Sequence, residues 1–265
     1  MSATSERAAE RVFIGVSALV FALGAALTIV GCGSMSAMGG MTMPGDWTMS
    51  MAWMRMPGQS WGEAAASFAG MWIVMMIAMM QPSLTPMLLR YRRLVADRDG
   101  ARRGALTALV AVAYYGVWTA VGLLAFPLVA LLAQIEMQLP ALARAVPLAI
   151  GAIVVIAGTL QFTSWKARHL AFCRETPERC CAAPATAASA LRHGLRLGVH
   201  CAHCCFGLTL VLLAIGVMDL YAMGAVAAAI TAERLAPAGQ RVARAIGAVL
   251  IVGGTWLVAQ GLGAA

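Results

Sequence analysis

Residues 67–89 read SFAGMWIVMMIAMMQPSLTPMLL, 23 consecutive positions without an ionisable side chain. A helix of that length rises about 1.5 Å per residue and covers the roughly 30 Å hydrocarbon core of a bilayer. It is apolar on every face, so it belongs in lipid or deep inside protein. Five further stretches are mostly apolar over about 20 residues or more: 12–31, 105–133, 146–165, 204–231 and 242–263. Lipid leaves no water for backbone groups, so each is expected to be a helix. The expected fold class is therefore all-α, a polytopic transmembrane helical bundle of about six transmembrane helices.

The composition agrees. Of 265 residues, 61% are hydrophobic and 11% charged, where a soluble domain carries about 25% charge. The mean hydropathy is +0.81. The net charge of +8 is not spread over a soluble basic surface, which argues against nucleic acid as a partner. Arg90, Arg92, Arg93, Arg98, Arg102 and Arg103 cluster in one connecting region. Lys166, Arg168, Arg174, Arg179, Arg192 and Arg196 cluster in another. Basic connecting regions mark the cytoplasmic side. The N-terminus is then cytoplasmic, the 32–66 region outside and the 166–203 region inside. A last connection bearing Arg234, Arg241 and Arg244 fits this arrangement less well. The domain reading is an N-terminal helix over 1–34, a Met-rich extracytoplasmic loop over 35–66, and a five-helix membrane domain over 67–265. That domain includes a Cys/His-rich cytoplasmic loop at 166–205. Ile29-Val30-Gly31-Cys32 matches a bacterial lipobox. The apolar run before it exceeds the 7–15 residues typical of a signal core, which favours an uncut helix.

Fourteen of the 18 methionines fall between Met35 and Met87. The loop carries Met35, Met38, Met41, Met43, Met49, Met51, Met54 and Met56, interleaved with Gly, Ser, Pro and Asp. Apolar filler makes little sense in such a loop. Thioethers are soft ligands that need no deprotonation, and they suit Cu(I). Met71, Met75 and Met79 share a helical face, with Met76 and Met80 beside them. That stripe reads either as packing or as a continuation of the soft-ligand path. Pro82 and Pro86 are expected to open this helix and free carbonyls.

His200-Cys201-Ala202-His203-Cys204-Cys205 places three thiols and two imidazoles in six positions. His169 and Cys173 are four apart, on one helical face. Such a set suits Cu(I) or zinc. Cys201 and Cys204 also form a C-x-x-C pair capable of thiol–disulfide exchange. Cys32, His193, Cys180 and Cys181 are weaker candidates. Asp219, about fourteen residues into the fifth expected helix, is costly in lipid and is a candidate functional acid or a hydrogen-bonded packing acid. Gln161 is its expected partner. Glu233 is expected at the interface beside Arg234.

From about Met35 onward the chain resembles the bacterial DUF2182 family of predicted metal-binding integral membrane proteins. The resemblance rests on Met71-Trp72, Met75-Met76-Ile77-Ala78-Met79-Met80 and Pro82-Ser83. It continues through Gln161, Lys166, Cys173, Arg174 and Pro177, then Cys201, Cys204 and Cys205, then Gly216-Val217-Met218 and Glu233. His203 stands where the family has glycine, Phe206 where it has tryptophan and Asp219 where it has asparagine. His169 stands where a cysteine is expected. The resemblance implies metal binding. Residues and resemblance together predict copper handling, most simply Cu(I) binding and transfer or transport across a bacterial cytoplasmic membrane. A copper chaperone or a copper enzyme is the expected protein partner. The alternatives are a membrane oxidoreductase and an accessory subunit of a metalloenzyme. No phosphate-binding loop is present to drive pumping.

Overall fold

The computed structural model describes residues 3–37, 39–43, 47–49, 53–55, 58–96, 98–175 and 186–263. Among them are eight helices: α1 (Ala3–Ala37), α2 (Trp61–Leu94), α3 (Gly100–Gln138), α4 (Pro140–Leu160), α5 (Ser164–Glu175), α6 (Ala187–Ile215), α7 (Leu220–Leu235) and α8 (Gly239–Gly263). A two-stranded antiparallel hairpin, β1 (Met41–Met43) and β2 (Trp47–Met49), pairs Met41 with Met49 and Met43 with Trp47. The fold is an all-α bundle. Six helices, α1, α2, α3, α4, α6 and α8, are long and apolar enough to cross a membrane. This is the pattern of a multi-pass membrane protein.

Caps define the starts. Ser60 and Glu63 form a capping box on α2, and Asp99 accepts from the Arg102 amide at the start of α3. Thr186 and Ser189 do the same for α6. Pro82 and Pro86 do not open α2, which runs through both. Hydroxyls next to the prolines donate back to carbonyls within that stretch. Ser83 Oγ donates to the Met80 carbonyl at 3.0 Å and Thr85 Oγ1 to the Gln81 carbonyl at 2.8 Å.

Close packing comes from small residues, as expected where lipid removes the hydrophobic drive between helices. α4 lies along α8, α3 against α6 and α1 against α2. A Cβ on Gly158 would sit 2.8 Å from the Gly247 carbonyl, and one on Gly254 would sit 2.9 Å from the Gly151 carbonyl. On α6, a Cβ on Gly198 would lie 2.9 Å from the Val117 side chain, and one on Gly194 would overlap the Val110 carbonyl. Gly194 and Gly198 thus let α6 approach α3 backbone to backbone.

The largest departure from expectation concerns the fifth span. No single helix covers 204–231. α6 starts at Ala187 and ends at Gly216, whose φ of +133° only glycine adopts readily. Within the expected cytoplasmic loop over 166–205, residues 166–175 belong to α5 and 187–205 to α6, and 176–185 lie outside the described residues. α7 then runs back beside α6. Its 16 residues span about 24 Å. Met218, just before it, touches Cys32 near the end of α1, and Arg234 at its other end touches Cys201. Arg174 donates to the carbonyls of Glu233 and Pro237, and Arg90 to that of Arg174. Arg234, Arg241 and Arg244 therefore share one end of the bundle with the other basic clusters, hereafter the basic end. The misfit of the last connection disappears, because the chain turns at Gly216 rather than continuing.

Candidate metal centre

Cys201, Cys204 and Cys205 occupy i, i+3 and i+4 of α6 and so share one face. That face points into the bundle. Each residue is no more than 1% exposed, and the three sulfurs all lie within 4.8 Å of one another. Cys201 Sγ is 3.8 Å from Cys205 Sγ, and Cys204 Sγ is 3.6 Å from it. A metal–sulfur bond of about 2.3 Å sets neighbouring sulfurs about 3.8 Å apart in a tetrahedral site. The spacing therefore fits a thiolate-bound ion without rearrangement of α6. Cys173, reaching across from α5, is fully buried and interacts with Cys201 and Cys204. It is placed as a fourth sulfur at the edge of the set.

A cation stands beside the sulfurs. Arg234 Nη1 lies 3.3 Å from Cys201 Sγ, 2.9 Å from Ser83 Oγ and 3.4 Å from Tyr114 Oη. Tyr114 Oη is itself 3.0 Å from Cys201 Sγ. Nε and Nη2 of Arg234 are buried without a hydrogen-bond partner among the described residues. A buried guanidinium needs compensating negative charge, and ionised thiols are the groups at hand to supply it. A second buried pair braces the same region. Lys166 Nζ donates to Glu233 Oε2 at 2.6 Å and to the Cys204 carbonyl at 2.5 Å. Gln161 Nε2 donates to Glu233 Oε1 at 2.9 Å. Burial alone would depress the Lys166 pKa, but Glu233 and then the Cys204 and Cys205 sulfurs outweigh it and hold it above the ordinary lysine value.

The histidines do not join the thiols. His200 and His203 each precede a cysteine by one residue, which rotates them about 100° away on the helix. They pack with His169 on the outer side of α6, against Trp165 and Phe172. The expected pairing of His169 with Cys173 is likewise split, the thiol facing in and the imidazole out. Burial, then His203 and Arg168, lowers the His169 pKa below the ordinary histidine value.

Asp219 is not inside a helix. It is exposed and caps α7, accepting from the Ala222 amide at 2.8 Å. The turn at Gly216 removes the cost that singled it out. Gln161 pairs with Glu233 rather than Asp219, and Glu233 is 1% exposed, not interfacial.

Met75, Met76, Met79 and Met80 are buried and belong to one continuous core cluster with Met43, Trp72 and the three cysteines. Met71 and Met54 pack against it half-buried. Met35 is half-buried at the end of α1, and Met41 is exposed. Trp47 Nε1 donates to the Ala143 carbonyl at 2.9 Å and pins the hairpin to α4. Cys32 Sγ lies 3.8 Å from Met218 Sδ. Met38, Met51, Met56, Cys180, Cys181 and the side chain of Met49 lie outside the described residues.

Sequence reasoning missed Tyr114, Ser83 and Arg234 as neighbours of the sulfurs. Only the Gly194-x-x-x-Gly198 spacing hinted at α3, by marking the face of α6 that another helix approaches closely.

Residues 69–257 match a family described as PpoB2, copper chaperone. Neither the curated proteins nor the solved structures contain a match to the chain.

Proposed function

From the premise that this chain belongs to the PpoB2 copper chaperone family, we propose that it binds Cu(I) as cargo at Cys201, Cys204 and Cys205 within a bacterial cytoplasmic membrane. The carrying observation is the set of three buried sulfurs at metal-site spacing beside the buried Arg234 guanidinium, two of whose nitrogens have no hydrogen-bond partner among the described residues. Thiolates suit Cu(I), and Arg234 offsets their charge in a place where water cannot. Cys173 offers a further sulfur for exchange. In this reading the basic end faces the cytoplasm, and the N-terminus lies there. Met41, Met43 and Met54, with the other loop methionines, collect the ion outside. Met71, Met75, Met76, Met79 and Met80 pass it inward to the thiols, which hold Cu(I) more tightly than thioethers. Ser83 links the two halves, since it bonds both the Met80 carbonyl and Arg234. A copper enzyme or a second chaperone receives the ion. Thiol–disulfide exchange is served less well, because sulfurs this deeply buried are screened from a partner thiol.

The test is metal content of protein purified reduced in detergent and loaded anaerobically with Cu(I). The wild type is expected to hold about one more tightly bound Cu(I) per chain than a Cys201/Cys204/Cys205→Ser variant. Zinc in preference to copper, or equal copper in both proteins, overturns the reading.

A further inference from the structure

The geometry points to a second metal site of different chemistry, built from His169 and His200 with His203 against them, on the outer side of α5 and α6 at the basic end. The ring centroid of His169 lies 5.0 Å from that of His200 and 4.8 Å from that of His203. His169 Nδ1 and His200 Nδ1 face each other at 2.9 Å. Two neutral imidazoles in that contact share one proton, one ring donating and the other accepting. An ion in place of the proton would be bound by both nitrogens. Metal–nitrogen bonds of about 2.0–2.1 Å set two such atoms about 3.3 Å apart in a tetrahedral site. The gap therefore has to widen by only a few tenths of an ångström. His203 donates from Nδ1 to the Val199 carbonyl at 2.7 Å and stacks on His169 with ring planes 12° apart, so it flanks the pair and does not join it as a ligand. Phe172 stacks on His200 with centroids 3.6 Å apart, and Trp165 stands edge-on to His169 and His203. The rings are thus held in place from both sides.

Imidazole suits copper, zinc and nickel, where thiolate favours Cu(I). His203 is exposed and His169 and His200 half-buried, whereas the thiols are sealed. The site thus takes an ion from its surroundings in either copper oxidation state. It does not depend on the thiols holding Cu(I).

The experiment uses the full chain in detergent, carrying Cys201/Cys204/Cys205→Ser, with Cu(II) as the probe and electron paramagnetic resonance as the readout. One copper per chain with nitrogen hyperfine couplings is expected. Adding His169→Gln or His200→Gln, each checked for unchanged helical content, should weaken binding at least tenfold. Absence of nitrogen-ligated copper in the cysteine variant overturns the site, as does binding that survives both histidine substitutions. Cu(I) binding by wild-type protein is scored separately, so failure of the thiol reading leaves this result distinct.

Discussion

Replacing Glu233 by Leu should destabilise the protein more than any single change at its surface. Glu233 and Lys166 are 1% and 4% exposed and paired at 2.6 Å. Removing the carboxylate leaves the Lys166 ammonium buried with only the Cys204 carbonyl, and Gln161 without its acceptor. Breaking a buried pair from one side costs about 3–5 kcal/mol. At about 2–4 °C per kcal/mol for a chain of this size, the apparent midpoint of thermal unfolding in detergent falls by on the order of 10 °C. Glu233→Gln should fall less, because its amide oxygen still accepts from Lys166. The Lys166→Met, Glu233→Leu double variant should recover most of the loss, giving a coupling energy of at least about 2 kcal/mol in a double-mutant cycle. Circular dichroism melts of the wild type, the single variants Lys166→Met and Glu233→Leu and the double variant measure it. Copper affinity should follow stability, because Lys166 also holds α5 to the Cys204 turn of α6. A midpoint within 2 °C of wild type for Glu233→Leu would refute the reasoning, because it would mean that the pair is solvated.

Two further tests separate packing from chemistry. Met76→Leu with Met80→Leu conserves volume and should cost less than about 1.5 kcal/mol, yet it should slow copper delivery to the thiols, read by stopped-flow displacement of a Cu(I) indicator. Unchanged delivery would make the stripe packing alone. Gly198→Val places methyl groups where Val117 and the Tyr114 carbonyl already sit. Overpacking of that kind costs about 1–3 kcal/mol. The substitution should also part Tyr114 from Cys201 and lower Cu(I) affinity in a chelator competition, an effect absent from Gly253→Val, where a Cβ meets open space.

Much of the architecture is legible from the chain. Hydropathy locates six long helices because lipid demands an unbroken apolar run, and that demand is local. The number of methionines and cysteines directs attention to soft-metal chemistry, and the copper chaperone family agrees with copper handling in general. The i, i+3, i+4 spacing of Cys201, Cys204 and Cys205 already requires one helical face. The same periodicity separates His200 and His203 from that face, although nearness in sequence suggests a single set.

What the chain alone left open is whatever depends on distant segments meeting. Apolar residues resume directly after Asp219, so an average over about 20 residues does not register that α6 stops and α7 returns. The turn rests on one positive-φ glycine and an aspartate cap. That reversal carries Arg234 from one side of the bundle to the other and lays it against Cys201, 33 residues away. It also brings Glu233 to Lys166, 67 residues away. Local sequence sets helix existence, because backbone hydrogen bonds and lipid exposure act over a few residues. Only tertiary packing could bring a buried cation to a buried thiol, because that pairing is a property of the interior and not of either segment.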